Sequence, residues 1–259
     1  MNNATMDKMH QMRLHGMLRA FRDSREHLTA QGLAPDELVA FLVDAEWDER
    51  YNRALARLVK NASFRYRGRI EEIECSQERN IDRNTLMRLA SCEWIKKGEN
   101  LIITGATGVG KSFLACAIGH TACIRKLKVK YANCLKLFAH LKTARADGSF
   151  PREIKLLAKQ DLVILDDFGL RQLDGDSRLF LLELLEDRSG AKSTVISSQM
   201  PVFKWFDVIE DPTIADVICD HVVHAAHTVQ LKGPSMRKRQ GKNSGQNLPS
   251  RDWLDTRLN

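Results

Sequence analysis

The eight residues Gly105-Ala106-Thr107-Gly108-Val109-Gly110-Lys111-Ser112 fit G-x-x-x-x-G-K-[ST] at every fixed position. Glycines at that spacing let the backbone curl so that successive N–H groups face one anion, and a following helix adds its N-terminal dipole. Lys111 places a point charge on the β- and γ-phosphates, and the Ser112 hydroxyl is a ligand for Mg²⁺. The cofactors expected are therefore ATP and Mg²⁺. Such a loop needs a carboxylate to hold the metal. Leu162-Val163-Ile164-Leu165 is an apolar run ending in Asp166 and Asp167. Asp166, at the tip, is expected to hold Mg²⁺ through water, as in a Walker B element, and Asp167 to orient or deprotonate the attacking water. Ser197-Ser198-Gln199 ends a further apolar run, and Gln199 is the candidate to reach between the two motifs toward the γ-phosphate.

Those groups need strand ends to carry them. Leu101–Thr104, Val129–Tyr131, Leu162–Leu165 and Ser193–Ser197 read as short buried strands. Between them, Lys111–Ile124, Leu135–Ala144 and Leu179–Leu185 read as helices. That alternation predicts an α/β fold with a parallel sheet covered on both faces. Residues 1–75 read as a helical N-terminal domain and 76–98 as a connector with a short helix around Leu86–Trp94. The nucleotide domain spans 99–240, and 241–259 is a polar tail that reads as disordered.

The chain has 259 residues, a net charge of +7 and six cysteines with no C-x-x-C pair. The cysteines read as reduced, buried thiols. No apolar run approaches the ~18 residues of a membrane span, and no apolar leader opens the chain, so a cytoplasmic location and no membrane partner are expected. The charge is clustered. Seven basic residues and no acidic one lie between Arg50 and Arg69. At 100° per residue, Arg50, Arg53, Arg57 and Lys60 share one helical face, apart from Trp47, Tyr51, Leu55, Leu58 and Val59. Together with Arg65, Arg67 and Arg69 they form a candidate phosphate-tracking surface; a solvated helix face is the plainer alternative. A second cluster, Lys232–Arg251, holds six basic residues and no acidic one.

The P-loop, the Asp-Asp strand end, the polar strand end and Gly233-Pro234-Ser235-Met236-Arg237 together resemble the AAA+ ATPases of the DnaC/IstB group, most closely the IstB type of insertion-sequence transposition helper. The likeness extends through Leu42–Trp47, Glu93-Trp94-Ile95, Gly98-Glu99-Asn100, Ala117–His120, Ala144–Gly148 and Leu231-Lys232-Gly233. It implies an AAA+ αβα domain behind a small all-helical domain. It also implies a homo-oligomer with ATP at subunit interfaces, assembly on double-stranded DNA with little sequence preference, and recruitment of an IstA-type transposase. Arg237 matches the sensor 2 position, and Arg188 matches a position where relatives carry arginine. Either could supply transition-state charge; a surface salt bridge is the alternative for each. Ile218-Cys219-Asp220-His221-Val222 departs from the pattern, because His221 stands where relatives carry arginine.

Three other readings use the same motifs: a DnaC-like helicase loader, a P-loop kinase acting on a small molecule, and a nucleotide-gated binding protein with slow turnover. The kinase reading lacks an Arg-rich lid, since the basic clusters lie outside the core.

Overall fold

A computed structural model describes residues 2–26, 34–224 and 226–236. The chain divides into two compact units, Met1–Asn61 and Ala62–Asn259. Residues 62–75, read from the sequence as the end of the helical domain, fall in the second unit by this division.

The first unit is helical: α1 (Asn2–Gln11), α2 (His15–Glu26) and α3 (Pro35–Ala62). Pro35 followed by Asp36 and Glu37 starts α3 as helix N-termini prefer. α3 runs unbroken through Arg50, Arg53, Arg57 and Lys60, the residues expected to share one helical face. Trp47, expected on its apolar face, is exposed, whereas Tyr51, Leu55, Leu58 and Val59 are half-buried. Gly16 is required for the contact of α2 with α3, because a Cβ there would lie 2.3 Å from the Ala45 carbonyl oxygen. The buried Glu46 caps α2 from α3, accepting from the Gly16 and Met17 amides at 2.8 and 3.2 Å.

The second unit opens with α4 (Arg83–Ala90) and α5 (Glu93–Lys96). The alternating run follows: β1 (Asn100–Thr104), α6 (Lys111–Ile124), β2 (Val129–Asn133), α7 (Cys134–Asp147), α8 (Phe150–Ala158), β3 (Leu162–Phe168), α9 (Gly175–Glu186), β4 (Ser193–Ser198), α10 (Trp205–Ile209), α11 (Pro212–Val223) and β5 (Ala226–Gln230). All five strands are parallel, in the order β2-β3-β4-β1-β5. The expected parallel sheet is present. β1 and β4 are buried along their whole length, and β3 is buried except at Asp167, as expected for central strands of a parallel sheet. β5 and the helices α8, α10 and α11 carried no sequence expectation. β5 is an edge strand with one buried residue, Val229, and so lacks an apolar run.

Asn100 locks the start of the sheet. Its Oδ1 accepts from Thr194 N at 2.9 Å, and its Nδ2 donates to the His221 carbonyl at 3.0 Å. The order of strands matters for the chemistry. β4 lies between β1 and β3, so whatever follows β4 stands between the residues that follow the other two. Ligands of parallel sheets bind at that carboxyl edge.

Candidate nucleotide site

The loop after β1 adopts the conformation that its glycines allow. Gly105 and Gly108 have φ of +144° and +85°, and a Cβ at Gly108 would lie 2.3 Å from Ser235 Oγ. Gly110 precedes α6 in a left-handed conformation and offers no side-chain cap, which leaves the first amides of α6 for an anion. Lys111 is buried and bent back on its own loop, its Nζ donating to the carbonyls of Gly105 and Ala106 at 2.8 and 3.0 Å.

The acidic pair of β3 splits at a register irregularity between Leu165 and Phe168. Asp166 points inward and is fully buried. It accepts from Ser112 Oγ at 2.9 Å and from Tyr131 Oη at 2.6 Å. Burial, then the hydrogen bond to Asp166 and its charge, push the Tyr131 phenol far up, so it stays protonated and donates. Asp167 has φ of +60°, a bulge conformation that re-aims its side chain. It accepts from Asn133 Nδ2 at 2.9 Å and from Arg65 Nη1 at 3.1 Å. Asn133 Oδ1 caps α7 through Lys136 N, which fixes its amide in place. Gln199 Oε1 accepts from Thr107 Oγ1 at 2.7 Å, tying the end of β4 to the loop after β1.

The hydroxyl of Ser112 and the carboxylate of Asp166 are hard oxygen donors of the kind Mg²⁺ prefers. Among the described residues no group of three or more His, Cys, Asp or Glu converges, so a metal here would take its remaining ligands from water and phosphate. A cavity of about 430 Å³ adjoins the loop, lined by Tyr66, Ile73, Leu114, Leu231 and Met236 among others. Its apolar walls suit a flat base and its loop suits phosphates. The Leu231–Met236 segment closes one side, with Met236 N donating to Gly108 O at 2.9 Å.

The arginines depart from expectation. Arg188 is 1 % exposed. It donates to the carbonyls of Leu157, Gln160 and Ser193 and to Thr194 Oγ1, all before or at the start of β3 and β4. That is the edge of the sheet opposite the P-loop, so its guanidinium braces strand starts rather than serving a nucleotide. Desolvation lowers its pKa to about 10, against the opposing charge of Asp161. Arg65, grouped with the DNA-contact residues, sits on the acidic pair. Arg50 and Arg53 pair with Glu46 and Glu49 on α3 at 2.6 and 3.0 Å. Arg57, Lys60, Arg67 and Arg69 are exposed, the first two in the first unit and the others in the second. Arg237 lies outside the described residues, as does most of the Lys232–Arg251 cluster. His221 faces Ser189 Oγ at 3.1 Å, His224 faces Asp220 and His227 faces Glu99.

Sequence reasoning missed Tyr131, Asn133 and Arg79. Asn133 was within reach, because it ends β2 as Gln199 follows β4. Arg79 left no signal: its buried guanidinium donates to the Val109 carbonyl at 2.7 Å, from a turn whose backbone also receives Lys232 N.

Residues 7–244 match the family model described as IstB-like ATP binding protein. The chain is 42 % identical over 240 residues to a putative insertion sequence ATP-binding protein, y4pL, of Sinorhizobium fredii, covering 93 % of this chain and 98 % of that one. It is 39 % identical over 202 residues to the insertion sequence IS1162 putative ATP-binding protein of Pseudomonas fluorescens, covering 78 % and 87 %. Among solved structures, the DnaC helicase loader superposes with a TM-score of 0.55 at 18 % identity, covering 64 % of this chain and 98 % of that chain. AMPPCP-bound DnaA from Aquifex aeolicus superposes with a TM-score of 0.54 at 16 % identity, covering 73 % and 57 %. These likenesses establish the P-loop AAA+ fold.

Proposed function

The chain belongs to the IstB-like ATP-binding protein family, and from that premise we propose that it is an ATP-hydrolysing helper of insertion-sequence transposition. It assembles as a homo-oligomer on double-stranded DNA with little sequence preference and recruits or stimulates an IstA-type transposase. It works in the cytoplasm; no helix among the described residues is long and apolar enough to cross a membrane. The observation that carries the reading is the convergence of Lys111, Ser112, Asp166, Asp167 and Gln199 at one edge of the sheet. Its relatives' designation as insertion sequence ATP-binding proteins supports the biological setting.

On this reading the residues of Gly105–Ser112 hold the phosphates, and Lys111 exchanges its two loop carbonyls for phosphate oxygens. Ser112 and Asp166 would hold Mg²⁺, which would supply neutralisation of phosphate charge. Asp167 orients the attacking water and receives its proton. The water oxygen bonds to the γ-phosphorus as the bond to the β-phosphate bridging oxygen breaks, releasing ADP and phosphate. Gln199, held by Thr107, positions the γ-phosphate or that water. Arg237 is the remaining arginine candidate, since Arg188 is committed to the strand starts. Exposed Arg57, Lys60, Arg67 and Arg69 track DNA phosphates, with the strong salt dependence such contacts bring.

The DnaC likeness concerns the fold alone, so the helicase-loader reading has no observation of its own here. ATP-dependent assembly on duplex DNA, followed by sedimentation, tests the proposal against Lys111→Ala. The natural chain is expected to assemble with ATP and the variant to remain unassembled. Equal assembly of both would overturn it.

A further inference from the structure

Arg65 joins two parts of the molecule that the sequence kept separate. It belongs to the basic run Arg50–Arg69, yet its Nη1 lies 3.1 Å from Asp167 Oδ2 and 3.8 Å from Asp166 Oδ2. Asn133 Nδ2 donates to that same Asp167 oxygen at 2.9 Å. A carboxylate oxygen has about two lone-pair directions. Both directions of Asp167 Oδ2 are therefore taken, one by Asn133 and one by Arg65, and a water at that oxygen must displace a donor. Asn133 is held at its other end by the α7 cap. Arg65 is the exchangeable donor, because its side chain is 40 % exposed. It lies over the Tyr66 ring at 5.3 Å, and its neighbours Arg67 and Arg69 are exposed. Partly exposed ion pairs are weak and screened, so a dense array of phosphates competes well for such an arginine.

We propose that Arg65 is a positioning residue that blocks Asp167 Oδ2 in DNA-free protein, and that duplex phosphates draw Arg65 away and open that oxygen to the attacking water. The inference rests on the reading of Asp167 given above and supplies its coupling to DNA. It requires no change in the nucleotide cradle itself, because Arg65 makes no contact with Gly105–Ser112 among the interactions described.

The test is steady-state ATP hydrolysis with and without a random-sequence duplex, for the natural chain, Arg65→Gln and Arg65→Lys, beside affinity for a fluorescent ATP analogue. Arg65→Gln is expected to raise DNA-free turnover about fivefold, the rate equivalent of one exposed ion pair, and to bring the DNA-stimulation ratio toward one. Analogue affinity is expected to hold, and Arg65→Lys to restore most of the stimulation. A fall in DNA-free turnover for Arg65→Gln, or an unchanged stimulation ratio, overturns the inference while leaving the functional reading intact. A natural chain that hydrolyses no ATP on DNA overturns both.

Discussion

Ser112 Oγ donates to Asp166 Oδ1 at 2.9 Å across 54 residues of sequence. The first residue follows β1 at the start of α6, and the second lies in β3, two strands away in the sheet. Their meeting puts a hydroxyl and a carboxylate together beside the phosphate loop, which is the smallest unit that can seat a metal–nucleotide complex. Everything proposed for the chemistry depends on that pair.

Asp166→Asn should separate metal binding from folding. Nucleotide affinity measured in Mg²⁺ and again in EDTA is expected to differ strongly for the natural chain. The difference should shrink about tenfold or more in the variant, since contacts to a charged group are worth about 1.5–3 kcal/mol. A thermal melt checks that the buried amide is tolerated. An unchanged Mg²⁺ dependence in a folded variant would remove Asp166 from the metal site.

Arg188→Met should act on stability rather than on turnover. The substitution removes the guanidinium donor from the carbonyls of Leu157, Gln160 and Ser193, of which Leu157 keeps the Gln160 amide. A buried group left unsatisfied costs about 1–3 kcal/mol, so with Gln160 and Ser193 each losing a donor a loss of about 2 kcal/mol or more is expected in urea titrations. An arginine that serves a neighbouring subunit's nucleotide would instead lower turnover with the urea midpoint unchanged.

How much of this was legible in the sequence depended on how local each signal was. The P-loop, β1, β3, β4 and α6 are written in contiguous residues, and Lys111–Ile124 is helical over its whole expected span. The partners of Arg65 and Arg188 left no trace in the sequence, because an arginine in a basic or mixed-charge stretch looks solvent-facing until the chain folds. Arg65 finds Asp167 102 residues away, and Arg188 finds carbonyls of the preceding connection some 30 residues back. Tyr131 was read only as a strand residue, because nothing in Val129-Lys130-Tyr131 indicates that its hydroxyl meets Asp166. The β3 register Asn133↔Asp166 explains both Tyr131 and Asn133 after the fact.

The acid limb of stability should carry a contribution from Asp174, which caps α9. The hydrogen bond from Lys142, then those from Ser177, hold its carboxyl at about 2, below the ordinary 3.8. A depressed folded-state value means stability that is present above about pH 4 and lost as pH falls toward 2. Both side chains are half-exposed, so the effect is small. Melts of Asp174→Asn and the natural chain are expected to differ at pH 7 and to converge between pH 4 and pH 2. A difference that stays constant across that window would show that the charge of Asp174 contributes nothing.

Hydrolysis on duplex DNA by the natural chain and by Asp167→Asn, with ATP affinity measured in parallel, tests the central claim most directly. A positioned general base contributes about 10²–10⁴-fold, so turnover is expected to fall by about a hundredfold or more while ATP affinity holds. Equal turnover by both proteins would contradict the assignment of Asp167, and loss of ATP affinity alone would make it a binding residue rather than a catalytic one.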